Sequence, residues 1–254
     1  VDPLDFATSL ARDAGALLRR KLSEPRTIAE KGPHDLVTDA DAASEAFIVE
    51  RIRAAFPQAS ILGEEGGEYS GDAAERWILD PLDGTTNYAH GYPLFCVSIA
   101  YEREGILEAG VVYAPQLDEC YTARLGGGAA LNGSPIRVSA RASVGESLVC
   151  TGFMPAHYER NGRYFAAVSR VAQGVRRDGS AALDLAMVAA GRFDAFWERD
   201  LKAWDVAAGA LLIAEAGGRV SAMDGSPLVI AAGSILASNG IVHAQMQTLL
   251  ASAD

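Results

Sequence analysis

Residues 80–88 read Asp80-Pro81-Leu82-Asp83-Gly84-Thr85-Thr86-Asn87-Tyr88 and follow the short apolar run Trp77-Ile78-Leu79. Two carboxylates end a strand-like segment, with a proline between them and a glycine and two hydroxyl side chains behind them. Taken alone, the pattern admits two readings: a turn in which Asp83 caps a helix, or a place where a cation and a phosphate meet. Holding two acids on either side of a proline at the end of an apolar strand is a costly way to build a turn. Gly84-Thr85-Thr86 at a helix start would offer free N–H groups and a positive dipole end, and glycine lets the backbone approach an anion closely. A threonine hydroxyl there could orient a water molecule.

Outward from this stretch the chain falls into readable elements. Asp2-Pro3-Leu4-Asp5 has a capping acid, a first-turn proline and a first-turn acid, and Phe6, Leu10, Ala14 and Leu17/Leu18 recur at helical spacing to about Leu22. Thr38-Asp39-Ala40-Asp41 caps a second helix, with Phe47, Ile48, Ile52 and Ala55 as its apolar face and Pro57 as its stop. Strands are expected at Phe95 to Tyr101, Ile106 to Tyr113 and Glu119 to Leu125, then a tight hairpin at Gly126-Gly127-Gly128 and Asn132-Gly133 leading into Ile136-Arg137-Val138. Beyond about Ala142 strands alternate with helices at Arg160 to Ala172, Ala181 to Ala190, Trp204 to Ala216 and from about Ile241. The order predicts a layered α/β sandwich. Residues 1–142 form an α+β half with an antiparallel sheet and 143–254 an α/β half, joined without a hinge.

Composition narrows the function. The 254 residues carry a net charge of −11, which argues against a nucleic-acid groove built from positive charge but leaves anionic substrates open where cations bind. Cys96, Cys120 and Cys150 lie in apolar runs without a CxxC pair, so reduced, buried thiols in a cytoplasmic protein are expected. No long apolar run suggests a membrane span. No GxGxxG or GxxxxGK[ST] follows a strand, which removes the dinucleotide and ATP-loop readings.

Further carboxylates stand at element ends: Glu64 and Glu65 after Ser60-Ile61-Leu62, and Asp205 in Ala203-Trp204-Asp205. Each has an ordinary explanation, Glu64 and Glu65 as solvated loop charges and Asp205 as a helix-start acid. Asp41 is equally well explained as an acid of the capping pair. Were Glu64, Asp80, Asp83 and Asp205 to converge, they would repel one another unless cations neutralised them. A ligand set of oxygens alone, without His or Cys, suits Mg²⁺, Mn²⁺ or Ca²⁺ and not zinc. The residues therefore point to metal-dependent chemistry on a phosphate ester.

Gly63-Glu64-Glu65, Asp80-Pro81-Leu82-Asp83-Gly84-Thr85-Thr86-Asn87 and Trp204-Asp205-Val206-Ala207-Ala208-Gly209 resemble the signature blocks of the inositol monophosphatase family. Val37-Thr38-Asp39-Ala40-Asp41 and Gly179-Ser180-Ala181-Ala182 resemble its weaker blocks. The resemblance implies a five-layer αβαβα sandwich of the sugar-phosphatase type, usually a homodimer, with Mg²⁺-dependent and lithium-sensitive phosphomonoesterase activity. It implies Glu64, Asp80 and the Leu82 carbonyl as ligands of one Mg²⁺, Asp80, Asp83 and Asp205 as ligands of a second, and Glu65 in the outer shell of a weaker third. Glu64 and Thr85 would position the attacking water, and the Gly84 and Thr85 amides would hold phosphate. Asp83, Gly179, Ser180, Ala181 and Glu198 match positions that contact the alcohol, and Lys31 matches a basic position near the third metal. Lys202 stands where some members have His, and either favours a more anionic substrate or lies on the surface.

The expected substrate is inositol monophosphate, a small phosphorylated polyol. Fructose 1,6-bisphosphate, histidinol phosphate and nucleotide 3′-phosphates are the alternatives within the same chemistry. Some bacterial members resemble extragenic suppressors, which implies a different alternative, a binding role with the transcription machinery and without direct nucleic-acid contact.

Overall fold

The computed structural model describes residues 1–24, 27–32, 35–152 and 157–253. Helix α1 (Pro3–Leu22) starts where Asp2 caps it, the carboxylate accepting the Leu4 and Asp5 N–H groups at 3.0 Å. A hairpin of β1 (Ile28–Gly32) and β2 (Asp35–Thr38) leads into α2 (Asp39–Ala55). The capping box expected at Thr38 is present, the Asp41 carboxylate accepting the Thr38 N–H at 2.8 Å.

The face that α2 buries differs from the apolar face read in the sequence. Asp41, Ser44 and Glu45 are buried beside Ile48, Val49 and Ile52, and Phe47 is only half-buried. An i, i+3, i+4 stripe is kept, but its first two turns are polar, so hydrophobic periodicity could not find it.

An eight-stranded sheet then forms from β3 (Ala59–Gly63), β4 (Gly67–Tyr69), β5 (Asp72–Asp83), β6 (Cys96–Arg103), β7 (Ile106–Ala114), β8 (Glu119–Arg124), β9 (Gly128–Leu131) and β10 (Ser134–Pro135), in the order 10-9-8-7-6-5-3-4. Its pairs are antiparallel except β3 with β5. The short α3 (Thr85–Ala89) follows β5. Ile136-Arg137-Val138 is not a strand. The Ile136 N–H still reaches the Ala129 carbonyl of β9 at 3.0 Å, but the Val138 N–H turns away from β9 to the Ala216 carbonyl at 3.2 Å.

A five-stranded mixed sheet holds β11 (Leu148–Thr151), β12 (Gly174–Arg176), β13 (Ala195–Arg199), β14 (Arg219–Ser221) and β15 (Ser234–Ser238), in the order 12-11-13-15-14. Between and around these strands run α4 (Tyr158–Ser169), α5 (Ala181–Ala189), α6 (Ala203–Glu215) and α7 (His243–Ala251). Alternate residues along a strand face opposite sides. Trp77, Leu79, Val97, Ile99 and Val111 therefore pack under α1 and α2, while Ile78, Ala100 and Val112 face α5 and α6. The far side of α5 and α6 meets Cys150, Phe196, Ile235 and Ala237 of the second sheet. The outer face of that sheet, with Val149, Trp197 and Leu236, carries α4 and α7. The result is the layered α/β sandwich expected from the element order, in the αβαβα form that the family resemblance implies. The three cysteines are free thiols, all buried.

His243 at the start of α7 is completely buried between two serines, its Nε2 2.9 Å from Ser221 Oγ and its Nδ1 2.9 Å from Ser238 Oγ. Ser221 gives its own proton to the Ala222 carbonyl at 2.7 Å, so it accepts from Nε2–H, and Ser238 donates to Nδ1. Burial, with Arg219 nearby, holds the imidazole pKa down to about 4 from an ordinary value of 6.5. Unfolding releases an imidazole that takes up a proton more readily. The stability His243 contributes is therefore complete above about pH 6.5 and lost as pH falls towards 4. The urea midpoint should fall over that window, and His243→Gln should be less stable at neutral pH with a flatter pH profile. Superimposable pH profiles for the two proteins would clear His243 of this role.

Candidate active site

The two acids of the opening stretch lie within β5, not after it. Asp80 is opposite Ser98 on β6 and Asp83 is opposite Cys96, so three steps on one strand match two on the other. This is a bulge, and Pro81, which has no N–H for the ladder, sits in it. The kink is tied off by the Leu82 N–H, which donates to Asp80 Oδ1 at 2.9 Å, and by Ser44 Oγ, which donates to the Pro81 carbonyl at 2.9 Å. The Leu82 side chain is buried in the outer core while its carbonyl faces Thr85 Oγ1 at 3.1 Å.

Gly84 follows with φ 92°, a left-handed conformation that glycine adopts without strain. A Cβ there would also come within 3.0 Å of the Leu94 carbonyl. No side chain caps α3, so the Asp83 N-cap reading is set aside. Asp83 is used elsewhere: its Oδ2 accepts from Ser180 Oγ at 2.7 Å and the Ala182 N–H at 2.8 Å, with Cys96 Sγ at 3.7 Å.

Asp205 reaches the same place from α6. Its Oδ2 accepts the Lys202 N–H at 2.6 Å, and Ser98 Oγ holds the neighbouring Trp204 carbonyl at 3.2 Å. Asp80, Asp83 and Asp205 each present a carboxylate oxygen, and the three atoms lie within 4.8 Å of one another. Burial pushes the Asp80 carboxyl well up, reinforced by Glu64, then Asp83 and Asp205. Burial and the Asp83 charge push Asp205 up to about 8, with Glu64 adding to this. Glu64 at the end of β3 thus belongs to the same field. Such a cluster can hold a hard cation through oxygen ligands, and its mutual repulsion is what a cation would relieve.

Thr85 Oγ1 lies 2.8 Å from Asp41 Oδ1 and 3.1 Å from the Leu82 carbonyl. A hydroxyl has one proton to give, and the shorter contact is to Asp41. The functional signal of Asp41 was masked in the sequence by its capping role. One carboxylate does both jobs, Oδ2 serving the cap and Oδ1 the threonine.

The remaining residues read from the sequence divide. Ser180 is buried, and its hydroxyl is engaged with Asp83 at 2.7 Å, which makes it a support for that carboxylate. Gly179 is exposed beside it, with φ 85°, and Ala181 opens α5. Asn87 joins this loop to α3, its Nδ2 donating to the Leu94 and Asp178 carbonyls at 2.6 and 2.7 Å. Glu198 is buried at the end of β13, its carboxyl pushed well up by burial and then by Asp205 and Asp83. Glu65 is half-buried on the turn after β3, its N–H bound to Glu45 Oε2 at 2.8 Å. Lys202 has an exposed side chain at the N-cap of α6. The Lys31 side chain lies outside the described residues.

The model of the inositol monophosphatase family matches residues 2–253. The chain belongs to the inositol monophosphatase family. Among its relatives, an inositol-1-monophosphatase of Rhizobium meliloti is 48% identical, over 91% of this chain and 86% of that protein. A Pseudomonas aeruginosa relative named Nus factor SuhB is 47% identical, over 93% of this chain and 91% of its own length. The solved structure of inositol monophosphatase from Anabaena superposes with a TM-score of 0.90 at 46% identity, covering 99% of this chain and 96% of that one. The family is one of metal-dependent phosphatases acting on small phosphorylated molecules, and the acidic cluster fits that chemistry.

The raised carboxyls make the metal-free site sensitive to pH. A carboxyl whose folded pKa is about 8 against an ordinary 3.8 stabilises the fold at low pH and loses that contribution as pH rises towards 8. Chelated protein should therefore lose melting temperature from about pH 5 to 8, and Asp205→Asn should flatten the decline. Identical slopes in chelated wild type and variant would show that Asp205 ionises without strain.

Proposed function

We propose that the chain is a Mg²⁺-dependent phosphomonoesterase that hydrolyses inositol monophosphate to inositol and phosphate. The observation that carries this reading is the meeting of Asp80, Asp83 and Asp205 oxygens within 4.8 Å beside the Gly84–Thr85 turn. The names of the Rhizobium and Anabaena relatives support the choice of alcohol.

Glu64, Asp80 and the Leu82 carbonyl would hold one Mg²⁺, and Asp80, Asp83 and Asp205 a second. Glu65 would stand near a weaker third. Bound there, Mg²⁺ supplies positive charge to the phosphate and leaving oxygen and lowers the pKa of a bound water. The chain's own part is orientation. Donating its proton to Asp41, Thr85 turns its oxygen lone pairs towards the attacking water, with Glu64 on the other side of that water. The Gly84 and Thr85 amides face the phosphate. Water oxygen bonds to phosphorus as the bond to the inositol oxygen breaks in line, and the water's proton ends on the departing alkoxide. Ala181, Gly179 and Glu198 would border the polyol, and Ser180 acts there through Asp83. A cytoplasmic homodimer inhibited by lithium completes the reading.

Turnover of inositol monophosphate should exceed that of fructose 1,6-bisphosphate, histidinol phosphate and nucleotide 3′-phosphates when all are assayed with Mg²⁺. A preference for a bisphosphate would overturn the substrate. Asp205→Asn should lower kcat at least about 100-fold with the fold intact, and Asp41→Asn and Thr85→Val about 10²–10³-fold, the range for lost transition-state positioning. Normal turnover in Asp205→Asn would remove that residue from the metal site.

The relative named Nus factor SuhB favours a second reading, a binding role in transcription that runs through a protein partner. Asp83→Asn, expected to be inactive as an enzyme, distinguishes the two in cells. Full rescue of a deletion by that variant would make the binding role primary.

A further inference from the structure

Glu45 is 2% exposed on α2, yet it carries a carboxylate, and no lysine or arginine is bound to it among the described residues. Buried carboxylates are tolerated only when hydrogen bonds replace their water. Here three donors do so: the Glu65 N–H to Oε2 at 2.8 Å, the Gly66 N–H to Oε1 at 2.6 Å, and the Tyr69 hydroxyl to Oε1 at 3.0 Å. The two amides belong to the turn between β3 and β4 that carries Glu64. That turn could close without Glu45, because β3 and β4 are already paired from Ile61–Tyr69 to Gly63–Gly67. The carboxylate instead captures the N–H groups on the side of Glu64 away from β3. Space has been made for it, since a Cβ on Gly63 would fall 2.8 Å from Oε2.

Asp41 and Ser44 stand on the same face of α2, at i, i+3 and i+4. Asp41 holds the Thr85 hydroxyl and Ser44 the Pro81 carbonyl of the bulge, each across a separate part of the acidic cluster. One rigid helix thus references the β5 bulge, the threonine and the Glu64 turn to one another.

We propose that Glu45 is a positioning residue for the metal site, which sets the Glu64 carboxylate against Asp80 by binding the Glu65 and Gly66 amides. This rests on the metal reading given above. Glu45→Gln keeps the shape but turns an NH₂ group towards one of the two amides, so one N–H loses its acceptor. The Glu64 turn should loosen while the sheet beneath it stays.

The test measures Mn²⁺ binding to the purified chain by electron paramagnetic resonance and Mg²⁺ binding by calorimetry, without substrate. Ile52→Val, a cavity variant deeper on the same helix, serves as the control for general destabilisation. Glu45→Gln should weaken metal binding about ten-fold or more, and raise the Mg²⁺ concentration for half-maximal turnover in parallel, with kcat recovered at high Mg²⁺. Ile52→Val should lower the melting temperature and leave the metal isotherm unchanged. An unchanged isotherm in Glu45→Gln overturns the proposal even if that variant melts earlier, because a purely structural role predicts that result. Wild type that binds neither metal would instead defeat the metal reading itself. Should Glu45→Gln not fold, Tyr69→Phe removes only the hydroxyl that orients the same carboxylate. It should weaken metal binding two- to three-fold, and no change there would equally overturn the proposal.

Discussion

Carboxylates that repel one another, set in a place with little water, are the constraint to which the rest of this structure answers. Asp80, Asp83 and Asp205 bring oxygens within 4.8 Å, and burial raises all three carboxyls, with neighbouring negative charge raising Asp80 and Asp205 further. Left to flexible loops, such groups would swing apart into solvent. Each is instead fixed by hydrogen bonds to one of its carboxylate oxygens. Asp83 Oδ2 is held by Ser180 and the Ala182 N–H, Asp205 Oδ2 by the Lys202 N–H, and Asp80 Oδ1 by the Leu82 N–H. The scaffold absorbs the repulsion, and what remains is a preformed demand for positive charge.

Rigid elements from three adjoining layers meet at that point. The β5 bulge supplies two of the acids, the start of α6 a third, the start of α5 the N–H that pins Asp83, and the polar first turns of α2 the clamps on Thr85 and Pro81. Sites built on helices and strands hold geometry better than sites on loops. This explains why α2 buries Asp41, Ser44 and Glu45 where an ordinary amphipathic helix would bury leucines. Part of the hydrophobic stripe is given over to polar groups, and the helix is retained by Ile48, Val49 and Ile52 farther along.

Relatives of this chain within one family carry different names. An inositol-1-monophosphatase and a Nus factor SuhB are about equally similar to this chain, at 48% and 47% identity. The cluster and its clamps are buried, whereas Lys202 and Tyr92 are exposed, so the chemistry of the site and the character of the surface rest on different residues.

Signals confined to neighbours along the chain were legible directly. The Asp2 and Thr38 caps, the apolar strands around Trp77 and the acids beside Gly84 all act within a few residues, and their reading brought out the layered fold and the acidic motifs. Ile136–Val138 misled because apolar alternation does not reveal that the Val138 N–H leaves β9 for the Ala216 carbonyl, far along the chain. The partner of each polar side chain lay beyond such reading. Thr85 finds Asp41 across 44 residues, Glu65 finds Glu45 across 20, and Ser180 finds Asp83 across 97. A carboxylate looks the same in a sequence whether it caps a helix, binds a cation or holds another residue in place. Packing alone removes the water from around it and leaves it one set of partners, and those partners define its role.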